Sequence, residues 1–177
     1  LNWGCIPTKA LLRSAEVFHL IGNASDYGIK ANGATPDIAA IVKRSRGVSD
    51  RLNKGVGHLL KKNKVTVIEG EAKLTAPGHV KVTGKGAGEY EARHIVLATG
   101  ARPRVLPGME PDKKLIWTYF EAMVPESLPK SLLVLGSGAI GIAFASFYRS
   151  PGLAVPVVEV FLQITPVVAA ASHARAR

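Results

Sequence analysis

An apolar run at residues 132–135 leads straight into Gly136-Ser137-Gly138-Ala139-Ile140-Gly141, and this stretch leaves the chain the fewest ways to fold. Leu132 to Leu135 reads as a buried parallel strand, Ala139 to Tyr148 as a helix, and Val155 to Val160 as a second strand. The glycines therefore sit at the strand-to-helix turn of a βαβ unit. Gly136 permits the tight turn, Gly138 lets a pyrophosphate approach the backbone, and Gly141 allows helix and strand to pack closely. The helix start adds amide donors and a positive dipole. Glu159 follows 18 residues past Gly141, where the hydroxyls of a dinucleotide ribose should lie. It favours NAD over NADP, because it would repel a 2′-phosphate and no Arg or Lys lies between Val160 and Thr165 to attract one. The motif by itself leaves open a glycine-rich turn in some unrelated α/β unit.

Upstream the periodicity changes twice. Leu11, Ala15, Phe18 and Ile21 recur at helical intervals and predict a helix over Ala10 to Ile21 entered through Pro7. A loop rich in Gly and Asn follows, then a longer helix from near Asp37 to about Asn63, with Asp37 as its cap and Gly47, Gly55 and Gly57 as weak points. Val65 to Ile68, Ala72 to Leu74, His79 to Thr83 and Tyr90 to Leu97 read as strands of a β-meander, broken at Pro77-Gly78 and at Gly84, Gly86 and Gly88. Ala98-Thr99-Gly100 ends the last of these. Pro125 to Pro129 mark a second break, after which the glycine-bearing unit begins.

Composition bounds the function classes. The apolar fraction of 47% fills an ordinary core, and the apolar stretch Leu153 to Leu162 is interrupted by Pro156 and Glu159 and falls far short of the roughly 20 residues of a membrane span. The formal charge of +10 raises nucleic acid as a partner, but the cations between Lys43 and Lys64 alternate with Val48, Leu52, Val56, Leu59 and Leu60 as on the wet face of an amphipathic helix. Neither nucleic acid nor membrane is expected. The chain opens on Leu1 without a signal-peptide pattern, and that start reads as a cut. The five histidines, His19, His58, His79, His94 and His173, lack metal-ligand spacing.

The single cysteine, Cys5, excludes an internal disulfide framework and fits a reducing, cytoplasmic compartment or a special thiol. At a helix start four residues before Lys9, its thiolate would be favoured by the dipole and a nearby cation. A small buried hydrophobe is the competing reading for a lone cysteine, and an ordinary solvated side chain the competing reading for Lys9.

The segment Leu1-Asn2-Trp3-Gly4-Cys5-Ile6-Pro7-Thr8-Lys9-Ala10-Leu11-Leu12 resembles the redox-active helix of the pyridine nucleotide-disulfide oxidoreductases, and most closely that of the dihydrolipoyl dehydrogenase family. The resemblance continues through Ala98-Thr99-Gly100-Ala101, similar to the family's flavin loop, to the GxGxxG at Gly136 and on to about Glu159. It implies an α/β chain: part of an FAD-binding Rossmann-like domain with a β-meander over residues 1–125, then the start of an NAD-binding Rossmann domain over 126–177. It implies that Cys5 is the catalytic sulfur nearer the flavin, its disulfide partner lying just before Leu1. Lys9 would lie near the flavin, Ala72 would meet its adenine side, and Thr99, Gly100 and Ala101 would line it. Gly136, Ser137, Gly138, Ala139, Ile140, Gly141, Ile142 and Ala143 would hold NAD with Glu159. The implied activity is oxidation of dihydrolipoamide, carried on the lipoyl domain of a 2-oxo acid dehydrogenase complex, with electrons passing through the disulfide and FAD to NAD in a homodimer. The NADP-using relatives fit less well, given Glu159 and the Ile6-Pro7-Thr8-Lys9 run.

Several positions depart from that pattern. The family's first βαβ unit and its C-terminal dimerisation domain lie beyond the two ends, so a partial sequence is expected, inactive on its own. Ala143 stands where the family usually has a Glu that pairs with the lysine at position 9. From Pro151 onward the likeness decays, with Pro156 inside a strand and Val167 to Ala171 in place of acidic residues. A non-catalytic remnant or a nucleotide-binding module is the second reading these departures support.

Overall fold

The computed structural model describes residues 1–159. Its elements are α1 (Cys5–Gly22), a 3-10 turn (Ala24–Tyr27), α2 (Ile38–Lys62), β1 (Glu71–Ala76), β2 (His79–Thr83), β3 (Gly88–Glu91), α3 (Tyr119–Met123), β4 (Val134–Leu135), α4 (Ala139–Arg149) and β5 (Val157–Val158). They form two compact units, one of Leu1–Asn53 with the described part of Val105–Arg177, the other of Lys54–Arg104.

The first unit is organised by α1, α3 and α4. α1 begins at Cys5, five residues before the predicted start, because Pro7 falls within the first turn, where a missing N–H leaves no helical bond unmade. Thr8 secures that turn, its amide and hydroxyl both donating to the Gly4 carbonyl, at 3.3 and 2.8 Å. Leu11 on α1, Ala122 and Met123 on α3, and Phe144, Phe147 and Tyr148 on α4 make the buried cluster, with Leu12, Ala15 and Ile41 packed against it. Burying a side chain of the Leu or Phe class contributes about 1.5–3 kcal/mol, so this cluster is what holds α4 in place. The fully buried Tyr148 hydroxyl donates to the Ala122 carbonyl at 2.9 Å, and burial pushes its pKa above the ordinary phenol value. Ser150 Oγ, just past α4, donates to the Ala15 carbonyl at 3.0 Å and ties the end of α4 to α1. Arg44 of α2 donates to the Ala10 carbonyl at 2.9 Å.

α3 is only one turn long and relies on its cap. The Phe120 amide donates to Thr118 Oγ at 3.2 Å, while the Glu121 carboxylate accepts from the Thr118 amide and hydroxyl at 2.9 and 2.7 Å. Burial opposes ionisation of Glu121, but those Thr118 bonds and the Lys113 charge outweigh it and leave the pKa below its usual value. Just upstream, Asp112 Oδ1 accepts from the amides of Lys114, Leu115 and Ile116, each at 2.8 Å, and the Ile116 amide does most to lower its pKa.

α2 matches its predicted limits and is continuous through Gly47, Gly55 and Gly57. Asp37 caps it, accepting from the Ala40 amide at 2.9 Å.

In the second unit β1, β2 and β3 pair antiparallel in that order, with Ala72 opposite Val82 and Lys81 opposite Glu89. Gly78, at φ 78°, turns the first hairpin. Two expected strands are absent or cut short. Val65 to Ile68 forms none, and Tyr90 to Leu97 ends as a strand at Glu91. β-branched composition supplies shape but not a ladder partner, and among the described residues no strand pairs with Val65 to Ile68 or with the part of the second run from Arg93 to Leu97; Val96 stays 88% exposed.

The parallel pair in the first unit is also shorter than expected, β4 against β5, with an isolated bridge from Ser131 to Ala154. Neither strand is buried: Leu133 and Leu135 are exposed, so the expectation of a buried run fails for want of a covering layer on both faces. Pro156 sits between the bridge and the ladder. Its carbonyl accepts from the Val134 amide at 3.0 Å, but it has no N–H to return, and the ladder is interrupted there. Val160, Val167 to Ala171 and His173 lie outside the described residues.

Candidate functional site

Among the described residues, only the β4–α4 turn gathers several predicted site residues into one defined geometry. Gly136 takes φ 94°, a left-handed value that disfavours a side chain, and its amide donates to the Val158 carbonyl at 2.8 Å. β5 is thereby tied to the turn itself. At Gly141 a Cβ would overlap the Gly136 carbonyl oxygen and crowd Val134 Cγ1, so helix and strand are packed as closely as the motif predicts. At Gly138 nothing lies within 4 Å of where a Cβ would be, which leaves the approach to the α4 N-terminus open. Gly138 caps α4 in an extended conformation, and its carbonyl accepts from the Ile142 amide at 3.0 Å. Ala139 and Ile140 are exposed, whereas Ile142 and Ala143 are half-buried on the helix behind them.

Glu159 is drawn to this turn. Its Oε2 accepts from the Ser137 amide and from Ser137 Oγ, both at 2.6 Å, and Ser137 is fully buried. The carboxylate and the glycine loop, 22 positions apart, thus form one anionic corner beside an open helix N-terminus. Sequence reasoning placed Ser137 and Glu159 at one site but missed the bond between them. A hydroxyl-bearing residue between the two glycines was the signal available.

Cys5 and Lys9 lie one turn apart on α1, both exposed, with Cys5 a free thiol as the helix's first residue. A buried hydrophobe is therefore not what this cysteine is. Among the described residues Lys9 makes no ion pair. The segment before Cys5 is held by contacts with no local signature. The Arg46 guanidinium lies 4.6 Å from the Trp3 ring centroid and donates to the Asn2 carbonyl, and Trp3 packs on Phe120 at 5.3 Å.

In the second unit Ala72 lies within β1. Thr99, Gly100 and Ala101 are exposed, outside any helix or strand, with Gly100 at φ 81° and nothing within 4 Å of its missing Cβ. An open apolar groove of about 380 Å³, lined by Val17, Leu20, Ile21, Tyr27 and Ile29, includes none of the predicted site residues. Among the described residues no group of three or more His, Cys, Asp or Glu gathers to hold a metal, and no helix is long and apolar enough to cross a membrane.

Comparison with known proteins adds the context that geometry alone does not supply. The family described as pyridine nucleotide-disulphide oxidoreductase matches residues 1–177. A dihydrolipoyl dehydrogenase of Rhizobium etli is 59% identical over 184 aligned residues, covering 94% of this chain and 38% of that protein. One from Zymomonas mobilis is 52% identical, covering 94% and 36%. Among solved structures, LpdA from Mycobacterium tuberculosis superposes with a TM-score of 0.81 at 27% identity, covering 98% of this chain and 40% of that one. The flavoprotein disulfide reductase RclA from Escherichia coli gives 0.72 at 26% identity, covering 93% and 34%. The chain thus spans less than two fifths of the curated relatives' length.

Proposed function

Because the chain belongs to the pyridine nucleotide-disulphide oxidoreductase family, we propose that it contributes the redox helix and the nucleotide corner of an NAD-dependent dihydrolipoyl dehydrogenase. The observation that carries this reading is the β4–α4 turn: open at Gly138, closed at Gly141, with a carboxylate fixed beside it. Residues Gly136 to Ala143 would take the pyrophosphate at the α4 N-terminus, and Glu159 would accept from the ribose hydroxyls. Its charge selects against a 2′-phosphate.

Cys5 would be the sulfur nearer FAD, and a second cysteine outside this chain its disulfide partner. FAD would supply two-electron chemistry between that disulfide and NAD. The exposed Gly100, left-handed with clear space around it, suits the close approach of such a group, flanked by Thr99 and Ala101; Ala72 and Lys9 complete the set by family likeness. The dithiol of dihydrolipoamide would lose two electrons and two protons to become a disulfide, NAD taking up both electrons and one proton as a hydride while the second proton goes to solvent. The substrate would arrive on a lipoyl domain of a 2-oxo acid dehydrogenase complex, in a cytoplasmic homodimer. The division into a flavin part up to residue 125 and a nicotinamide part from 126 belongs to this same reading.

The lone Cys5 and Ala143 favour a second reading, a nucleotide-binding module without turnover. The two separate on the complete protein. A dehydrogenase is yellow, reduces NAD with dihydrolipoamide and loses that activity in Cys5→Ser. A complete protein that binds NAD but neither holds flavin nor oxidises dithiol is the module.

A further inference from the structure

The segment Leu1 to Gly4, which leads into Cys5, is held from outside its own helix. No side chain caps α1, because Gly4 stands at its N-cap, and Thr8 supplies the local bonds by donating twice to the Gly4 carbonyl. Two residues earlier the Asn2 carbonyl accepts from Arg46 of α2, 44 positions along the chain. The same guanidinium lies 4.6 Å from the Trp3 ring centroid, and that ring packs on Phe120 at 5.3 Å. Among the described residues Arg46 is in no ion pair, and its Nη1 is buried without an acceptor. A guanidinium that merely solvated the surface of α2 would turn that donor to water. This one is directed at the segment that delivers Cys5.

From this we infer that Arg46 is a positioning residue for the Cys5 thiol, pinning Asn2 and Trp3 so that the sulfur is presented at a fixed place at the start of α1. The inference rests on the dehydrogenase reading, in which Cys5 forms a disulfide with a cysteine outside this chain, just before Leu1 by family likeness. Asn2 and Trp3 would then lie within the small loop that the disulfide closes. Such a disulfide is favoured over its dithiol in proportion to the effective concentration of one thiol at the other. Ties at Asn2, Trp3 and Gly4 restrict the loop and raise that concentration. Without Arg46 the loop keeps the Thr8 bonds and the Phe120 contact but loses the hydrogen bond and the ring contact from α2. The dithiol form would gain freedom and be favoured. General damage to the fold would instead weaken the nucleotide turn as well.

The test uses the complete protein as wild type, Arg46→Met and Arg46→Lys, equilibrated in dithiothreitol buffers, with free thiols trapped by iodoacetamide and the Cys5 peptide weighed. In each, the protein disulfide takes two electrons and two protons from the dithiol probe, which closes to its own disulfide. Arg46→Met keeps an apolar stem and removes the charge and the donors. It should raise the equilibrium constant for reduction about tenfold, equivalent to about 30 mV in potential. Arg46→Lys, which keeps a cation and a donor, should shift it less. NAD titration of the three proteins should give one affinity. An equilibrium untouched by Arg46→Met overturns the inference and leaves the dehydrogenase reading standing. A shift accompanied by an equal loss of NAD affinity also overturns it, as does an Arg46→Lys shift as large as that of Arg46→Met. If Cys5 of the wild-type complete protein forms no disulfide, the dehydrogenase reading falls and this inference with it.

Discussion

Two glycine-bearing loops of the chain are proposed as cofactor sites, Gly136–Gly141 and Ala98–Ala101, and they differ in how much of their shape comes from their own surroundings. The first is fixed on every side. β5 accepts from Gly136, Glu159 grips Ser137, and Gly141 leaves no room for a methyl group. Behind it α4 is bedded in the core through Phe144, Phe147 and Tyr148. The second loop has a left-handed Gly100 in open space and follows the exposed Ile95, Val96 and Leu97. A loop locked by its own chain can be preorganised for a ligand. One without such bonds takes its final geometry from whatever binds it or packs beside it.

The largest effect should come from removing the bed of the first loop. Leu11→Ala deletes a fully buried side chain from the cluster that holds α4, at a cost of about 2–5 kcal/mol. Thermal unfolding should register this, and NAD titration should show affinity falling with it. Should the glycine loop survive, its support lies elsewhere. Gly141→Ala forces a methyl group onto the Gly136 carbonyl; overpacking of this kind costs about 1–3 kcal/mol, and NAD binding should be lost with it. Gly138→Ala is the informative partner, since the open space there predicts an unchanged melting temperature with weakened NAD.

Thr118→Ala acts one step further out, through the cap of α3, which contributes Ala122 and Met123 to the same core. The expected loss is about 1 kcal/mol at neutral pH. Glu121 has a folded pKa below its unfolded one, so its contribution is complete above the unfolded value of about 4.3 and fades as pH falls through the folded value. Urea unfolding of both proteins across that range should therefore show the difference shrinking toward acid. Gly100→Ala closes the series. A side chain at φ 81° is strained by about 1–2 kcal/mol, partly offset by the lower entropy of the unfolded chain, and NAD affinity should not move. A Gly100→Ala variant with altered NAD binding would break the distinction between the loops.

What sequence could supply follows the same division. α1, α2, α4 and the glycine turn are written locally, in three- and four-residue spacing and in motif order, and the structure places them within a few residues of expectation. The Arg46–Trp3–Phe120 contacts join residues far apart in sequence, and no local pattern encodes them, while the Ser137–Glu159 bond is hinted at only by a hydroxyl between two glycines. Val65 to Ile68 and Ile95 to Leu97 fail in the opposite way. Their composition is that of sheet interior, but a strand exists only beside another, and none pairs with them among the described residues.

On the proposed reading the Gly136–Gly141 turn is a preformed dinucleotide site. Amide hydrogen exchange of the chain with and without NAD tests it most directly. Slow exchange is expected at Gly136 and Ser137 before ligand is added, with further protection through Gly141 when NAD binds and no change at residues 98–101. Fast exchange at Gly136 and Ser137 in the free chain, or NAD protection falling on residues 98–101 instead, would contradict it.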